Sequence, residues 1–348
     1  MKLSAFRFDL PDKHIAQLPA IPPEEARLMV VHRTSGKIEH KLFKDIITFF
    51  GKGDALVVND SKVLSTKLYG NKEKTGSKVE LTLLRALDAT QNLWDAVVEP
   101  ARKIRVGNKI YFGNGELVAE VIDNTTSRGR TVKLLFDEDE VAFHMLLDEI
   151  GHMPLPKQIQ GGTVDLHKQH YQTCFAKNIG SVVVPAAGRH FYPYLLKQFE
   201  LQGTHIAPIT LHIGLGDLKE IDMEDLVKFK PGSERFVVGK EAATQINTAL
   251  DSKNKVCAVG TSVVRSVESL VTIANRIKPQ GGWTNKFILP SYRYRIFDTL
   301  LTSFHLPCSP SLVSVVAFGG YDLVMKAYET AIKENYNFFV YGDAMLIL

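Results

Sequence analysis

Five short polar turns, each following an apolar run, hold the residues best placed to do chemistry in this 348-residue chain. They are Pro185-Ala186-Ala187-Gly188-Arg189-His190, His212-Ile213-Gly214-Leu215-Gly216-Asp217, Gly260-Thr261-Ser262, Thr302-Ser303-Phe304-His305 and Tyr341-Gly342-Asp343. An unperturbed histidine titrates near neutral pH, so each of His190, His212 and His305 could move a proton. A lone histidine is more often a hydrogen-bonded structural residue. Three of them in turns of one kind shift the balance towards a site, with at least one expected to be structural. Gly188, Gly214, Gly216 and Gly260, beside Ala187 and Thr261, would let backbone approach a ligand closely, or would only supply a positive φ for a turn. Arg265 and Glu268 lie three apart and share a helix face, where they could pair with each other or Arg265 could hold a carboxylate. Asp343 could face a pocket or bond its own local backbone.

Positioning these turns requires elements that end side by side. After Gly151, apolar runs alternate with helix-period segments, the pattern of an α/β arrangement with parallel strands. Strands are predicted at residues 181–184, 206–213, 256–259, 300–301 and 338–341, with helices near 193–202 and 262–276. In such folds the carboxyl ends of the strands line one edge, and ligands bind there. The five turns are therefore expected to share one site, which supports an enzyme with a polar pocket and names no reaction. Residues 56–148 differ: short apolar runs at 79–84, 109–112, 117–121 and 132–136 are punctuated by Gly, Asn and Thr and read as strands and hairpins. The expected fold is α/β: a main domain of residues 1–55 and 149–348, with a barrel-like or partly parallel sheet. It is interrupted by a small β-rich, barrel-like insert at 56–148.

Composition sets the limits. Hydrophobic residues at 45% and charged residues at 23% describe an ordinary globular protein. No apolar run is long enough for a signal peptide or a spanning helix, so the expected location is the cytoplasm. Cys174, Cys257 and Cys308 are far apart, show no Cys-x-x-Cys spacing and read as buried thiols. No metal is expected. The net charge of +4 says little by itself. Its distribution says more, because Lys62, Lys67, Lys72, Lys74, Lys78 and Arg85 cluster at the start of the insert and Arg102, Lys103, Arg105 and Lys109 follow. That run is either a solvated strand face or a grip on nucleic-acid phosphates.

The same turns resemble the signatures of the S-adenosylmethionine:tRNA ribosyltransferase-isomerase family (QueA). Pro185-Ala186-Ala187-Gly188-Arg189-His190-Phe191 is similar to that family's Pro-Thr-Ala-Gly-Leu-His-Phe, and Leu211-His212-Ile213-Gly214-Leu215-Gly216 to its Leu-His-x-Gly-x-Gly. Gly260-Thr261-Ser262-Val263-Val264-Arg265-Ser266-Val267-Glu268 echoes Gly-Thr-Thr-x-x-Arg-x-Leu-Glu, and residues 302–309 echo Thr-Asn-Phe-His-Leu-Pro-x-Ser. The likeness extends through Phe8-Asp9-Leu10-Pro11, Ala26-Arg27-Leu28-Met29, Asn59-Asp60-Ser61-Lys62-Val63, Gly151-His152-Met153-Pro154-Leu155-Pro156 and Tyr341-Gly342-Asp343-Ala344-Met345-Leu346-Ile347. Several positions depart: Ala186 and Arg189 replace the family's Thr and Leu, Gly216-Asp217-Leu218 its Gly-Thr-Phe and Lys62 an Arg, and Phe229-Lys230-Pro231-Gly232-Ser233-Glu234 stands where the family carries His-x-Met-His-Ser-Glu, so both histidines are missing. Glu234 persists there and joins the candidate acids and bases.

The resemblance implies that S-adenosylmethionine is a ribosyl donor bound without metal. The acceptor would be a 7-aminomethyl-7-deazaguanine in the anticodon region of tRNA, converted to epoxyqueuosine with release of adenine and methionine. The sulfonium acidifies the neighbouring ribose C5′ position, so a base can remove a proton there before adenine leaves and the acceptor amine attacks. His190, His212, His305 and Glu234 are the candidate proton-transfer groups. Ala187, Gly188, Gly214, Gly216, Gly260, Thr261, Arg265 and Asp343 are the candidate binding residues. A monomer holding the tRNA stem across its basic insert is expected. Two other expectations stand beside it. One is a divergent relative that binds RNA or S-adenosylmethionine with altered or no chemistry. The other is a methyltransferase-like Gly-x-Gly loop at 209–216, which lacks the third glycine and a downstream ribose-binding acid.

Overall fold

Several segments of this chain are apolar without alternation, and burial on both faces is what such strands require. In the computed structural model, which describes residues 1–88, 90–136, 139–218 and 220–348, they form the middle of a large sheet. In chain order the strands and helices begin with β1 (Arg27–Val31), β2 (Ile38–Leu42), β3 (Ala55–Asn59) and β4 (Ser61–Val63). The insert follows as β5 (Lys67–Lys72), β6 (Lys78–Asp88), β7 (Leu93–Glu99), β8 (Lys109–Phe112), β9 (Leu117–Asn124) and β10 (Gly129–Leu135), closed by α1 (Glu140–Ile150). Then come α2 (Val164–His170), β11 (Asn178–Ser181), α3 (Pro193–Leu201), β12 (His205–Leu211), β13 (Glu234–Val238) and α4 (Lys240–Asp251). The last are β14 (Val256–Val259), α5 (Thr261–Glu268), β15 (Gln280–Thr284), β16 (Thr299–Ser303), α6 (Pro310–Gly319), α7 (Tyr321–Lys333) and β17 (Ala344–Ile347).

Nine strands make the large sheet in the order β15-β13-β12-β3-β14-β16-β17-β1-β2. Its centre, β12-β3-β14-β16, is parallel, while β17 runs antiparallel to β16. Alternate residues of each central strand feed two cores. Val57, Ala258 and Leu300 pack under α4 to α7, and Leu56, Val58, Cys257 and Leu301 pack under α3 and the 3-10 turn Phe43–Phe49. The sheet is thus the middle of three layers. Helix α6 is apolar nearly all round and buried nearly all round, as that pattern demands.

The insert is a closed six-stranded antiparallel barrel, β10-β7-β6-β5-β8-β9, and closure leaves it no exposed edge. Inward residues such as Leu68, Leu81, Val98, Ile110, Ala119 and Val132 form its core. The mixed α/β class with a barrel-like insert is therefore what the chain adopts. The boundary drawn at residue 56 falls inside β3, which is hydrogen-bonded between β12 and β14; the first barrel strand begins at Lys67.

Three local readings are corrected. Residues 338–341 form a tight turn, not a strand: Phe339 has φ of 77°, and its amide donates to the Phe304 carbonyl at 2.8 Å. The strand comes next, as β17, and because it is antiparallel to β16 its start, not its end, joins the common edge, with Ala344 opposite Ser303. The helix read at 262–276 stops at Glu268, whose carboxylate is occupied by Tyr292 Oη (2.9 Å) and the Arg295 and Ile296 amides (3.2 and 3.1 Å). Glu268 is thus a buried anchor and not a surface partner of Arg265. At 181–184 only Ser181 is strand, the end of β11, which pairs with β4 outside the large sheet. All three cysteines are free, and Cys174 is exposed while Cys257 and Cys308 are buried. No helix among the described residues is long and apolar enough to cross a membrane.

Candidate functional site

The common edge of β3, β12, β14 and β16 holds an open cleft of about 650 Å³. Each wall is a turn that follows one strand or precedes another. Val183 to Ala187 form one side, Gly260, Thr261 and Ser262 the floor after β14, and Thr302, Ser303, His305, Leu306 and Ser309 the wall after β16. Ile213, Leu218, Phe339 and Val340 complete it. The lining is mostly apolar with five hydroxyls, a surface suited to a ligand with both apolar and hydrogen-bonding parts.

His305 is the one titratable side chain among the described lining residues. Its Nε2 lies 2.8 Å from Thr302 Oγ1, and its amide donates to the hydroxyl of buried Tyr328 at 3.0 Å, so both ring and backbone are held. Gly260 has φ of +96° and caps α5 where an L side chain would be strained, which lets the chain turn sharply from β14 into Thr261. Thr261 Oγ1 meets Ser311 Oγ at 3.1 Å across the cleft floor. Asn59 fixes the neighbouring strand end: its amide accepts from Leu211 N (3.0 Å), donates to Leu211 O (3.0 Å) and reaches Ser262 Oγ at 3.4 Å.

Glu234 and Arg265 form a second cluster, just behind Ile213 and Ser262. Their side chains are less than a tenth exposed, and Arg265 Nη2 lies 2.7 Å from Glu234 Oε2. The other carboxylate oxygen accepts from Gly214 N at 2.9 Å, so the pair ties the Gly-x-Gly turn to α5. Glu234 keeps this position as the first residue of β13 even though the loop before it lacks histidines.

The remaining candidates lie elsewhere. His190 is buried with its ring 4.9 Å from that of Phe43, and burial, then Arg189, pulls its pKa down to about 3; it is a neutral core imidazole. Gly188 is packed so that a Cβ would sit 2.7 Å from Phe175, which identifies close packing as its reason for being glycine. His212 faces Gly180, where a Cβ would approach Nδ1 to 2.7 Å, and burial, then Arg235, lowers its pKa against the opposing pull of Asp60. Asp343 accepts from Arg27 N (2.8 Å) and Asn337 N (2.7 Å), closing the turn before β17 as a backbone latch. Gly216 stands in the 3-10 turn Leu215–Leu218 with open space around it. Ala187, Gly260, Thr261 and His305 are thus brought together on the cleft, with Gly214, Glu234 and Arg265 behind it.

Sequence reasoning missed the hydroxyls of Ser262, Thr302, Ser303 and Ser309 as lining groups, although each stands in or beside a strand-end turn. It also missed Arg189, which donates to the carbonyls of His170 (2.9 Å) and Val340 (2.6 Å) and braces one wall. Among the described residues no group of three or more His, Cys, Asp or Glu could hold a metal ion.

Known proteins resemble this chain over its length. Residues 3–347 match the family described as queuosine biosynthesis protein. The chain is 56% identical to an S-adenosylmethionine:tRNA ribosyltransferase-isomerase of Amoebophilus asiaticus and 52% identical to one of Cytophaga hutchinsonii, each over the whole of both chains. A crystal structure of an S-adenosylmethionine tRNA ribosyltransferase from Thermotoga maritima, 30% identical, covers 99% of this chain and 100% of its own with a TM-score of 0.55. Matched by the family model over residues 3–347 and by relatives more than half identical over their whole length, this chain belongs to the queuosine biosynthesis protein family.

Proposed function

We propose that this protein transfers the ribosyl part of S-adenosylmethionine to a 7-aminomethyl-7-deazaguanine in the anticodon region of tRNA. The products are epoxyqueuosine in the tRNA, adenine and methionine, and the enzyme works as a cytoplasmic monomer. Full-length relatives bearing that activity in their names support the reading, and so does the cleft. The observation that carries it is His305, a titratable group held at the rim of an apolar, hydroxyl-lined cleft on the sheet edge.

The residues fit the donor substrate's chemistry. Apolar walls from Val183, Val184, Ile213 and Leu306 suit a planar base and a methionyl chain, and five hydroxyls suit ribose and base edges. His305 is the group we assign to proton transfer, taking the proton from ribose C5′ beside the sulfonium or returning it to departing adenine. Thr302 orients the imidazole through Nε2. Glu234 and Arg265, paired behind the cleft, hold Gly214 and α5 in place.

The test is incubation with S-adenosylmethionine and tRNA carrying the aminomethyl precursor, followed by adenine measurement and mass spectrometry of the nucleosides. His305→Ala is expected to lower turnover by roughly 100-fold or more, the usual scale for a proton-transfer group, with its melting temperature little changed. No adenine release by the unaltered protein, together with no S-adenosylmethionine binding, would instead identify a noncatalytic RNA-binding relative.

A further inference from the structure

A second groove lies where the barrel meets the main domain. Strand β5 is pinned there by two backbone bonds with His152, Lys67 N to His152 O at 3.1 Å and the reverse at 2.8 Å. Alternation along β5 turns Lys67 and Tyr69 to the same outward face while Leu68 and Gly70 point into the barrel. Opposite them runs the segment from His152 to His167, and the space between is an open groove of about 880 Å³.

The lining has one electrostatic sign. Lys67 and Lys157 supply it, and among the described residues no carboxylate lines the groove. Lys67 is already bonded to Glu80 at 3.1 Å, whereas Lys157 is exposed and makes no ion pair among the described residues. Burial, then the charges of Lys168 and Lys67, pulls the His152 pKa below its ordinary value. Tyr69 is 53% exposed and meets the His152 ring edge-on, with centroids 5.0 Å apart. An exposed aromatic face beside lysines is the pairing that holds a base and its phosphate.

The groove also lies next to the reaction cleft. Met153 and Ile159 on its floor pack in one apolar cluster with Val184, Phe339 and Val340, which line the cleft. His167 stacks on Tyr341 and bonds its hydroxyl at 2.7 Å, so the partition between the two spaces is rigid. The far rim is fixed as well, because Gln17 Oε1 accepts from the amides of Gln160 (2.8 Å) and Gly161 (3.2 Å).

We propose that this groove is a subsite for a nucleotide of the RNA substrate adjoining the reacting base, with the base against Tyr69 and the phosphodiester on Lys157 and Lys67. The proposal rests on the transferase reading for the identity of the RNA. The shared cluster of Met153, Ile159, Val184, Phe339 and Val340 sets the groove beside the cleft, where a nucleotide next to a bound base would lie, and its phosphate carries the charge that Lys67 and Lys157 complement.

The test is the affinity of the whole protein for an unmodified full-length tRNA transcript across a salt series, alongside calorimetric titration with S-adenosylmethionine. Tyr69→Ala is expected to weaken tRNA binding roughly tenfold, the scale of one lost stacking contact, with Tyr69→Phe close to the unaltered protein. Lys157→Ala is expected to reduce the slope of log affinity against log salt by about 1. S-adenosylmethionine binding stays unchanged in all three. Unchanged tRNA affinity and salt slope in both alanine variants overturns the subsite, whether or not the protein releases adenine. Loss of AMP binding in Lys157→Ala with tRNA affinity intact also overturns it and identifies a free-nucleotide site. If the variants weaken tRNA binding but the unaltered protein releases no adenine, the subsite stands and the transferase reading falls.

Discussion

Removing both partners of the Glu234–Arg265 pair should cost no more than removing one, and far less than the two single losses added together. The two side chains are less than a tenth exposed and meet at 2.7 Å. Replacing Arg265 with Met leaves a buried carboxylate whose remaining support includes the Gly214 amide. Breaking a buried pair in this way costs about 3 to 5 kcal/mol, and the lower end applies because that amide stays. Glu234→Gln keeps an oxygen for Gly214 but removes the charge opposite the buried guanidinium, at a similar cost of about 3 kcal/mol. The double variant holds no buried charge at the site and should lose only about 2 to 3 kcal/mol, so the cycle should give a coupling of about 3 kcal/mol. The assay is urea unfolding followed by tryptophan fluorescence. The chain has two tryptophans, Trp94 in the barrel and Trp283 in β15, so a Trp94→Phe background isolates the edge of the sheet beside Glu234. Barrel and sheet are then not averaged into one transition. Losses under about 1 kcal/mol in the single variants, or a double variant equal to their sum, would refute the idea that this pair is a coupled, desolvated unit.

Other expectations concern the turns. Gly260→Ala places an L residue at φ of +96° with neighbours no nearer than 3.6 Å, so the effect is backbone strain of about 1 to 3 kcal/mol, read as a fall in melting temperature; an unchanged melting temperature contradicts that geometry. For Asp343→Ala, two backbone amides lose their acceptor at about 1 to 3 kcal/mol each, while Asp343→Asn keeps one and should fall between; equal losses would argue against the latch. Because His190 has its pKa lowered in the fold to about 3 from an ordinary 6.5, the unfolded chain takes up a proton below pH 6.5 that the folded one refuses. Stability should therefore fall as pH drops, by about 2 kcal/mol at pH 5 from this residue alone, and His190→Phe should remove that slope in urea titrations at pH 7 and pH 5.

The clearest elements to read were those whose local pattern has one physical solution. Barrel strands β6, β8, β9 and β10 show apolar runs between Gly, Asn and Thr turns, whereas β5 (Lys-Leu-Tyr-Gly-Asn-Lys) mixes charge with glycine and carries its signal only in alternation. The turn at 338–341 was misread because Phe-Phe-Val-Tyr is equally apolar in a buried turn and in a buried strand. Periodicity cannot separate the two; the positive φ of Phe339 and the Asp343 latch do so. In the site, the turns after β14 and β16 were legible and their shared edge followed from the α/β pattern, whereas the turns at 185–190 and 341–343 follow no strand of the large sheet. The roles inside them were not, because a histidine's surroundings come from distant segments: Phe43 covers His190, and Gly180 crowds His212. The partnership of Glu234 with Arg265 is invisible for the same reason, being made by the meeting of β13 and α5.

The placement of β17 has a consequence for how the molecule is made. Leu28 pairs with Ala344 and Val31 with Ile347, so the strand beside β1 leaves the ribosome after every other strand of the sheet. The barrel, with every strand between Lys67 and Leu135, is complete long before that and can fold on the nascent chain. Until Ile347 is available, β1 and β2 are cut off from β16, and the cleft wall formed by Phe339 and Val340 lacks the strand that continues it into the sheet. Contacts of such long sequence separation form slowly, so the nascent protein should pass through a stage with a finished barrel and an unassembled reaction site.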